Sequence, residues 1–268
     1  MKQRPCRSWI LLLFLMLWMM ALMLVLEERS RVSGVNENSI YQEAFRRQKM
    51  PAGLYRQIME TNSEDMWEVF TATMISGSFA PDRIYADYQP FLKYKKKAYL
   101  QLCRSYQAIW ADLKCFPVAG KDICFEDTYG ASREYGGSHT HDGTDLFGSV
   151  TEPGYYPVVS ATDGVVERTG WLPLGGYRMG IRSPHGGYFY YAHLSEYDHS
   201  FREGELVHAG DILGYMGNTG YGSKGTKGRF PVHLHMGIYI KTPKAQEMSV
   251  DPYHILKMLQ ESTGRFDL

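Results

Sequence analysis

Apolar positions along this chain fall into three regimes. Residues 9–26, WILLLFLMLWMMALMLVL, are apolar without a single charge. At about 1.5 Å rise per residue, such a run, as a helix, nearly crosses the hydrocarbon core of a bilayer. Residues 39–114 change to helical spacing. Leu92, Tyr99, Leu102, Tyr106, Ile109 and Leu113 recur at steps of seven, three and four. That stripe predicts a long helix over 89–113, with Pro90 suited to its first turn. An earlier helix is predicted near Ser63, capped by Asn62 or Ser63, with Met66, Val69, Phe70 and Thr73 at helical spacing. From Phe116 onward the pattern becomes short alternating runs between glycines, among them YYPVVSAT, GVVERTG, GGYFYYAHLS and HLHMGIYI. These predict antiparallel strands joined by tight turns, with Asp163-Gly164 and His185-Gly186-Gly187 as hairpin turns. Residues 252–259 predict a short closing helix. The expected class is α+β: an N-terminal transmembrane helix, a helical region, then an all-β antiparallel sandwich-like domain.

Charge turns the first regime into an address. Lys2, Arg4 and Arg7 precede the apolar run, whereas Glu27, Glu28, Arg29 and Arg31 follow it and cancel. The positive-inside rule then predicts residues 1–8 in the cytoplasm, 9–26 as a single-pass anchor in the cell membrane, and the rest outside. A cleaved signal peptide is the rival. The run is longer than a usual signal core and no small-x-small site follows it, so an uncleaved anchor is expected. Residues 27–38 read as a short tether, and 39–114 as a helical region without chemistry of its own, a candidate surface for a protein partner. Residues 116–260 read as the domain that carries the chemistry. The formal net charge is +0. Lys95-Lys96-Lys97 reads as a solvated helix face, so no nucleic-acid partner is expected. After the anchor there are three cysteines, an odd number: Cys103, Cys115 and Cys124. Cys115 and Cys124 could be bridged or free, and none has the paired spacing of a cysteine zinc site.

The chemistry begins with FPVHLHMGIY, residues 230–239. Residues i and i+2 of a strand face one side, so His233 and His235 share a face. In SHTHDGTDLFG, residues 138–148, an extended chain puts His141, Gly143 and Asp145 on one face, with Gly143 leaving room for a metal and substrate. His139 would share that face and is the decoy. A helical reading fails, because Gly143 and Thr144 are poor helix formers and no His-Glu-x-x-His occurs. His141, Asp145 and one of His233 or His235 make two nitrogens and a carboxylate oxygen. Zinc favours such three-ligand sets in catalytic sites, where it lowers the pKa of water to about 7. In YYAHLS, His193 sits two residues from the Tyr191 hydroxyl and supplies a further imidazole for proton transfer.

HDGTD, YYAHLS, GDILGYMGNTG and HLHMGIY, together with ATDGVV and VHAGDILG, stand in an order that resembles the lysostaphin/LytM-type zinc metalloendopeptidases. The resemblance covers residues 116–252. It implies the duplicated hybrid motif fold and hydrolysis of the peptides of peptidoglycan during cell-wall remodelling. It implies one Zn²⁺ per chain on His141, Asp145 and His235, with His193 and His233 as catalytic imidazoles. All five positions carry the expected residue type. The alternative is a zinc-containing binding or scaffold module acting on another wall hydrolase. Residues 221–232, YGSKGTKGRFPV, are longer than the family's usual link and are expected to form a mobile loop near the cleft. Latent family members block the metal with an upstream asparagine, for which Asn36, Asn38 and Asn62 are the candidates.

Overall fold

The computed structural model describes residues 6–133 and 139–263. The apolar run lies within helix α1 (Cys6–Val32), which contains an exposed stretch long and apolar enough to cross a membrane. The segment expected as a tether is not free. Helix α1 continues through residues 27–32, and Val32 and Val35 are buried in the core. A 3₁₀ turn at Ser39–Tyr41 leads to α2 (Glu43–Arg46), α3 (Ala52–Glu60), α4 (Met66–Ser76) and α5 (Gln89–Trp110). Pro90 lies in the first turn of α5, as its missing N–H allows. The cap of α4 is Asp65 rather than Asn62 or Ser63. The Ser63 hydroxyl bonds the Asp65 carboxylate instead, and no side chain caps the helix.

The strands are β1 (Cys124–Phe125), β2 (Ser132–Arg133), β3 (His139–Thr140), β4 (Thr144–Phe147), β5 (Pro157–Val159), β6 (Gly164–Leu172) and β7 (Gly176–Arg182). They continue as β8 (Tyr188–Leu194), β9 (Glu196–Tyr197), β10 (Leu206–Val207), β11 (Ile212–Tyr215), β12 (Leu234–Thr242) and β13 (Ala245–Val250), and helix α6 (Tyr253–Thr263) closes the fold. One antiparallel sheet runs β1-β4-β12-β8-β7-β6-β10, with β13 on β12. A second runs β5-β11-β9, and β2 pairs with β3. The turn at residues 183–187 is the expected hairpin between β7 and β8. Asp163-Gly164 is not a hairpin, because β5 and β6 lie in different sheets. Gly164 is required instead by close packing: a Cβ there would meet the Ile181 side chain at 2.7 Å.

The period of two divides the large sheet into two faces. Val166, Met179, Ile181, Phe189, Tyr191, Leu234, Met236 and Ile238 point inward and are fully buried. The opposite face carries Asp145, His235, Tyr190, Gly180 and Arg178, because Asp145 pairs with His235 while Gly237 and Gly180 both pair with Tyr190. The inward face shares one continuous core with the helical region, in which Trp110, Tyr106, Phe70 and Phe45 are buried. Cys103, Cys115 and Cys124 are free thiols, so no bridge joins Cys115 to Cys124.

Candidate active site

A cleft of about 730 Å³ opens over the outward face of the sheet, and His141, Asp145, His193, His233 and His235 all line it. The register brings Asp145 of β4 opposite His235 of β12. His141 lies just before the turn that leads into β4. Its Nε2, the Oδ1 of Asp145 and the Nδ1 of His235 form a triangle with every edge 3.0 Å. Gly143 is necessary here for a reason beyond the expected one. Its missing Cβ makes room for the His235 ring, whose Nε2 would lie 2.8 Å away, and for the Met236 carbonyl.

The donor set fits a metal ion. With the Nδ1–H of His141 donating to the Thr128 hydroxyl at 3.0 Å or the Thr128 carbonyl oxygen at 3.2 Å, Nε2 presents only a lone pair. Its contact with Asp145 Oδ1 is then acceptor against acceptor, and a single proton on His235 Nδ1 can relieve only one other edge. A cation at the centre of the triangle turns that repulsion into attraction. Donors on a tetrahedral zinc stand about 3.3 Å apart, close to these edges. Arg133 Nη2 also lies 3.1 Å from His141 Nδ1, but its shorter bond, 2.7 Å, goes to Asp145 Oδ2. It orients the carboxylate and leaves Oδ1 facing the triangle. Burial opposes the charge on Asp145, yet the His141 and His235 imidazoles set against it outweigh that cost and hold the carboxyl well below its usual range.

The other two imidazoles stand beside this triangle. His233 Nε2 is 3.6 Å from Asp145 Oδ1, and the His193 and His233 rings are 4.8 Å apart. Each is held in one tautomer: Nδ1–H of His193 donates to the Thr219 carbonyl and that of His233 to the Pro231 carbonyl, both at 2.8 Å. Each therefore keeps a bare Nε2. Burial pushes both rings below the usual imidazole pKa, and for His193 the neighbouring His233 and His235 add to the effect.

His193 reaches the cleft through an irregularity. In a regular strand it would follow Tyr191 to the core face. The register between β7 and β8 shifts between Tyr177 and Met179, and His193 takes φ 64°. This bulge re-aims the ring into the cleft. The Tyr191 hydroxyl stays in the core, accepting no role at the site, and is bonded by the Ala161 N–H at 2.9 Å. The side chain of His139, the decoy, lies outside the described residues.

Sequence patterns did not single out Arg133, Thr128, Thr219, Tyr190, Tyr221 or Phe230. Tyr190 was within reach, since it alternates with Ala192 on the strand that bears His193. The long segment after Gly220 forms a wall. The Tyr221 and Gly222 N–H groups bond the carbonyls of Leu174 and Pro173, and Trp171 Nε1 donates to the Gly222 carbonyl. The Phe230 ring packs 4.7 Å from His193 and 5.2 Å from His233. No asparagine lines the cleft among the described residues. Asn38 Oδ1 accepts Lys244 Nζ and Asn36 Nδ2 donates to the Gly34 carbonyl.

Comparison with known proteins agrees with this geometry. Residues 139–252 match the model of peptidase family M23. The L-Ala--D-Glu endopeptidase of Bacillus subtilis (strain 168) is 34% identical over 203 residues, which are 74% of this chain and 61% of that protein. The chain thus spans less than two thirds of the length of that relative. The crystal structure of a glycyl-glycine endopeptidase lytM, so described provisionally, from Ruminococcus gnavus ATCC 29149 superposes with a TM-score of 0.69 at 37% identity, covering 83% of this chain and 92% of that one. The catalytic domain of lysostaphin from Staphylococcus simulans is 27% identical, with a TM-score of 0.37, over 50% of this chain and 92% of its own. With the donor triangle, the antiparallel fold, the family match and the likeness to the Ruminococcus gnavus structure in agreement, the chain belongs to peptidase family M23.

Proposed function

We propose that this chain is a membrane-anchored zinc endopeptidase that hydrolyses a peptide bond of peptidoglycan. The L-Ala–D-Glu bond in the name of its Bacillus subtilis relative is the first candidate. The observation that carries the reading is the 3.0 Å triangle of His141, Asp145 and His235 with two tautomer-locked imidazoles beside it in one cleft. His141 Nε2, Asp145 Oδ1 and His235 Nδ1 would hold Zn²⁺, which supplies Lewis acidity toward a peptide carbonyl. Hydrolysis consumes one water and leaves a new carboxylate and a new amine. His193 and His233 each offer a bare Nε2 backed by a fixed Nδ1–H bond. One takes the proton of the attacking water, and the Nε2–H so formed stabilises the oxyanion before passing the proton to the departing nitrogen; the other orients the water through its bare Nε2. Phe230 and Tyr221 exclude bulk water from the two rings. The helix of Trp9–Val32 would anchor the domain with its basic flank inside and the cleft outside, on the side of the wall.

The test is hydrolysis of purified peptidoglycan sacculi by the zinc-replete protein, read as new free amino groups. Release that stops with chelator, and in His141→Ala and His193→Ala, is expected. A folded, zinc-replete protein that releases nothing from several wall chemistries would replace the hydrolase with a scaffold.

A further inference from the structure

The cleft holds a cation that the chemistry above does not use. Four arginines line it: Arg133, Arg168, Arg178 and Arg229. Arg133 is bonded to Asp145 at 2.7 Å, Arg168 to Glu203 at 3.0 Å, and Arg229 to the Tyr221 carbonyl at 3.3 Å. Arg178 differs. Its guanidinium forms no hydrogen bond or ion pair with any described residue, and its Nη1 is buried without a partner. A buried, unpaired guanidinium nitrogen is costly, because the group retains its charge at all ordinary pH and loses its water. Nothing within β7 or its neighbours offsets that cost. The side chain is only half-buried, so the rest of its fork faces the cleft it lines.

Its position is set by the sheet. Arg178 pairs with Gly170 on β6, and Gly180, two residues on, pairs with Tyr190 on β8. Arg178, Tyr190 and His235 therefore lie on one face, and the Tyr190 and His235 rings are 6.1 Å apart. Gly175, Gly180 and Gly237 keep this floor low: a Cβ at Gly237 would meet the Tyr239 ring at 2.7 Å. Gly180 lies in the row of Tyr190 and Gly237, and Arg178 lies beside the next row, in which Ala192 pairs with His235, so a peptide crossing the floor from the His141–Asp145–His235 triangle over Ala192 meets Arg178. Of the carboxylates in the cleft, Asp145 belongs to the triangle, Asp142 accepts the Ser249 hydroxyl, and Glu247 is exposed and makes no ion pair with Arg178.

We propose that Arg178 is a specificity-determining residue that binds a carboxylate of the substrate peptide, so that the cleft selects an acidic residue near the cleaved bond. The proposal rests on the peptidase reading for the word substrate, but the carboxylate site itself does not depend on turnover. An arginine fork takes a carboxylate through paired, charge-assisted hydrogen bonds, which an amide of the same shape cannot replace.

The experiment measures binding of two fluorescent peptides to the full chain in detergent. Both contain L-alanine followed by D-glutamate; one has the free glutamate carboxylate and the other the corresponding amide. Wild type is expected to bind the acid form roughly tenfold or more tightly. In Arg178→Gln the ratio should fall to near one, and Arg178→Lys should keep part of it, as a point charge without the fork. Equal binding of the two peptides by wild type, or undiminished discrimination by Arg178→Gln, overturns the assignment. Failure to cleave sacculi while this discrimination persists would overturn only the hydrolase reading. Cleavage of sacculi without discrimination would overturn only the role of Arg178.

Discussion

His233 and His235 are two residues apart on one chain segment yet sit differently about the same oxygen. His235 places Nδ1 3.0 Å from Asp145 Oδ1, whereas His233 holds Nε2 at 3.6 Å and ties its own Nδ1–H to the Pro231 carbonyl. One ring completes the triangle; the other stands beside it. In chelator-competition titrations, His235→Ala should therefore weaken zinc binding by orders of magnitude, while His233→Ala should bind zinc within a fewfold of wild type. Both should abolish release of amino groups from sacculi. A His233→Ala protein that loses its zinc as readily as His235→Ala would contradict this division. Sequence alternation was enough to put both rings on one face. It could not say which nitrogen of His233 faces the carboxylate, because that depends on the Pro231 carbonyl, which hydropathy does not mark.

Helix α5 and the turn between β7 and β8 show how the helical region is joined to the sheet. A Cβ on Gly187 would run into the Ala108 carbonyl of α5, and the neighbouring His185 N–H donates to Asp112 Oδ2 at 2.8 Å. At the other end, Arg46 of α2 donates to the carbonyl and hydroxyl of Ser249 on β13, and that hydroxyl reaches Asp142 at the cleft. Gly187→Ala is expected to cost about 1–3 kcal/mol, because neither backbone can yield without shifting a packed element. Denaturant unfolding would show the loss as a lower midpoint with an unchanged slope; an unchanged midpoint would mean that α5 and the turn are not in tight contact. Helical periodicity correctly located α4 and α5. It gave no hint that they share the core of the sheet, since a stripe reports a buried face and not the partner that buries it.

The same joining of helices to sheet buries a carboxylate. Asp251 has no exposed side chain; it accepts the Tyr253 N–H at 2.9 Å and has Arg47 Nη1 only at 3.5 Å, with Asp127 nearby. Burial pushes its pKa up to about 6, and the Asp127 charge adds to that against the opposing bond and Arg47. With the folded pKa above the unfolded value of 3.8, the folded chain binds the extra proton between these limits. The contribution is thus most favourable below about pH 4 and is lost as pH rises through about 6, by up to about 3 kcal/mol. Asp251→Asn should remove this slope: the difference in unfolding free energy between variant and wild type should grow in the variant's favour from pH 4 to 6.5 and then level off. A difference that stays constant over that window would show that the buried carboxylate is already ionised throughout.

Sequence alone determined the three regimes, the strand alternation, the five site residues by type and order, and the family they resemble, because each is written in local spacing and residue chemistry. It misread Asp163-Gly164 as a hairpin and did not foresee that Gly143 leaves room for the His235 ring, since both glycines answer to contacts with distant strands. Tertiary structure alone decided the 3.0 Å triangle, the bulge that turns His193 from the core face into the cleft, and the unpaired Arg178 on the cleft floor. Those features depend on register across β4, β12, β8 and β7, and register is set by the summed packing of the inward face rather than by any one segment.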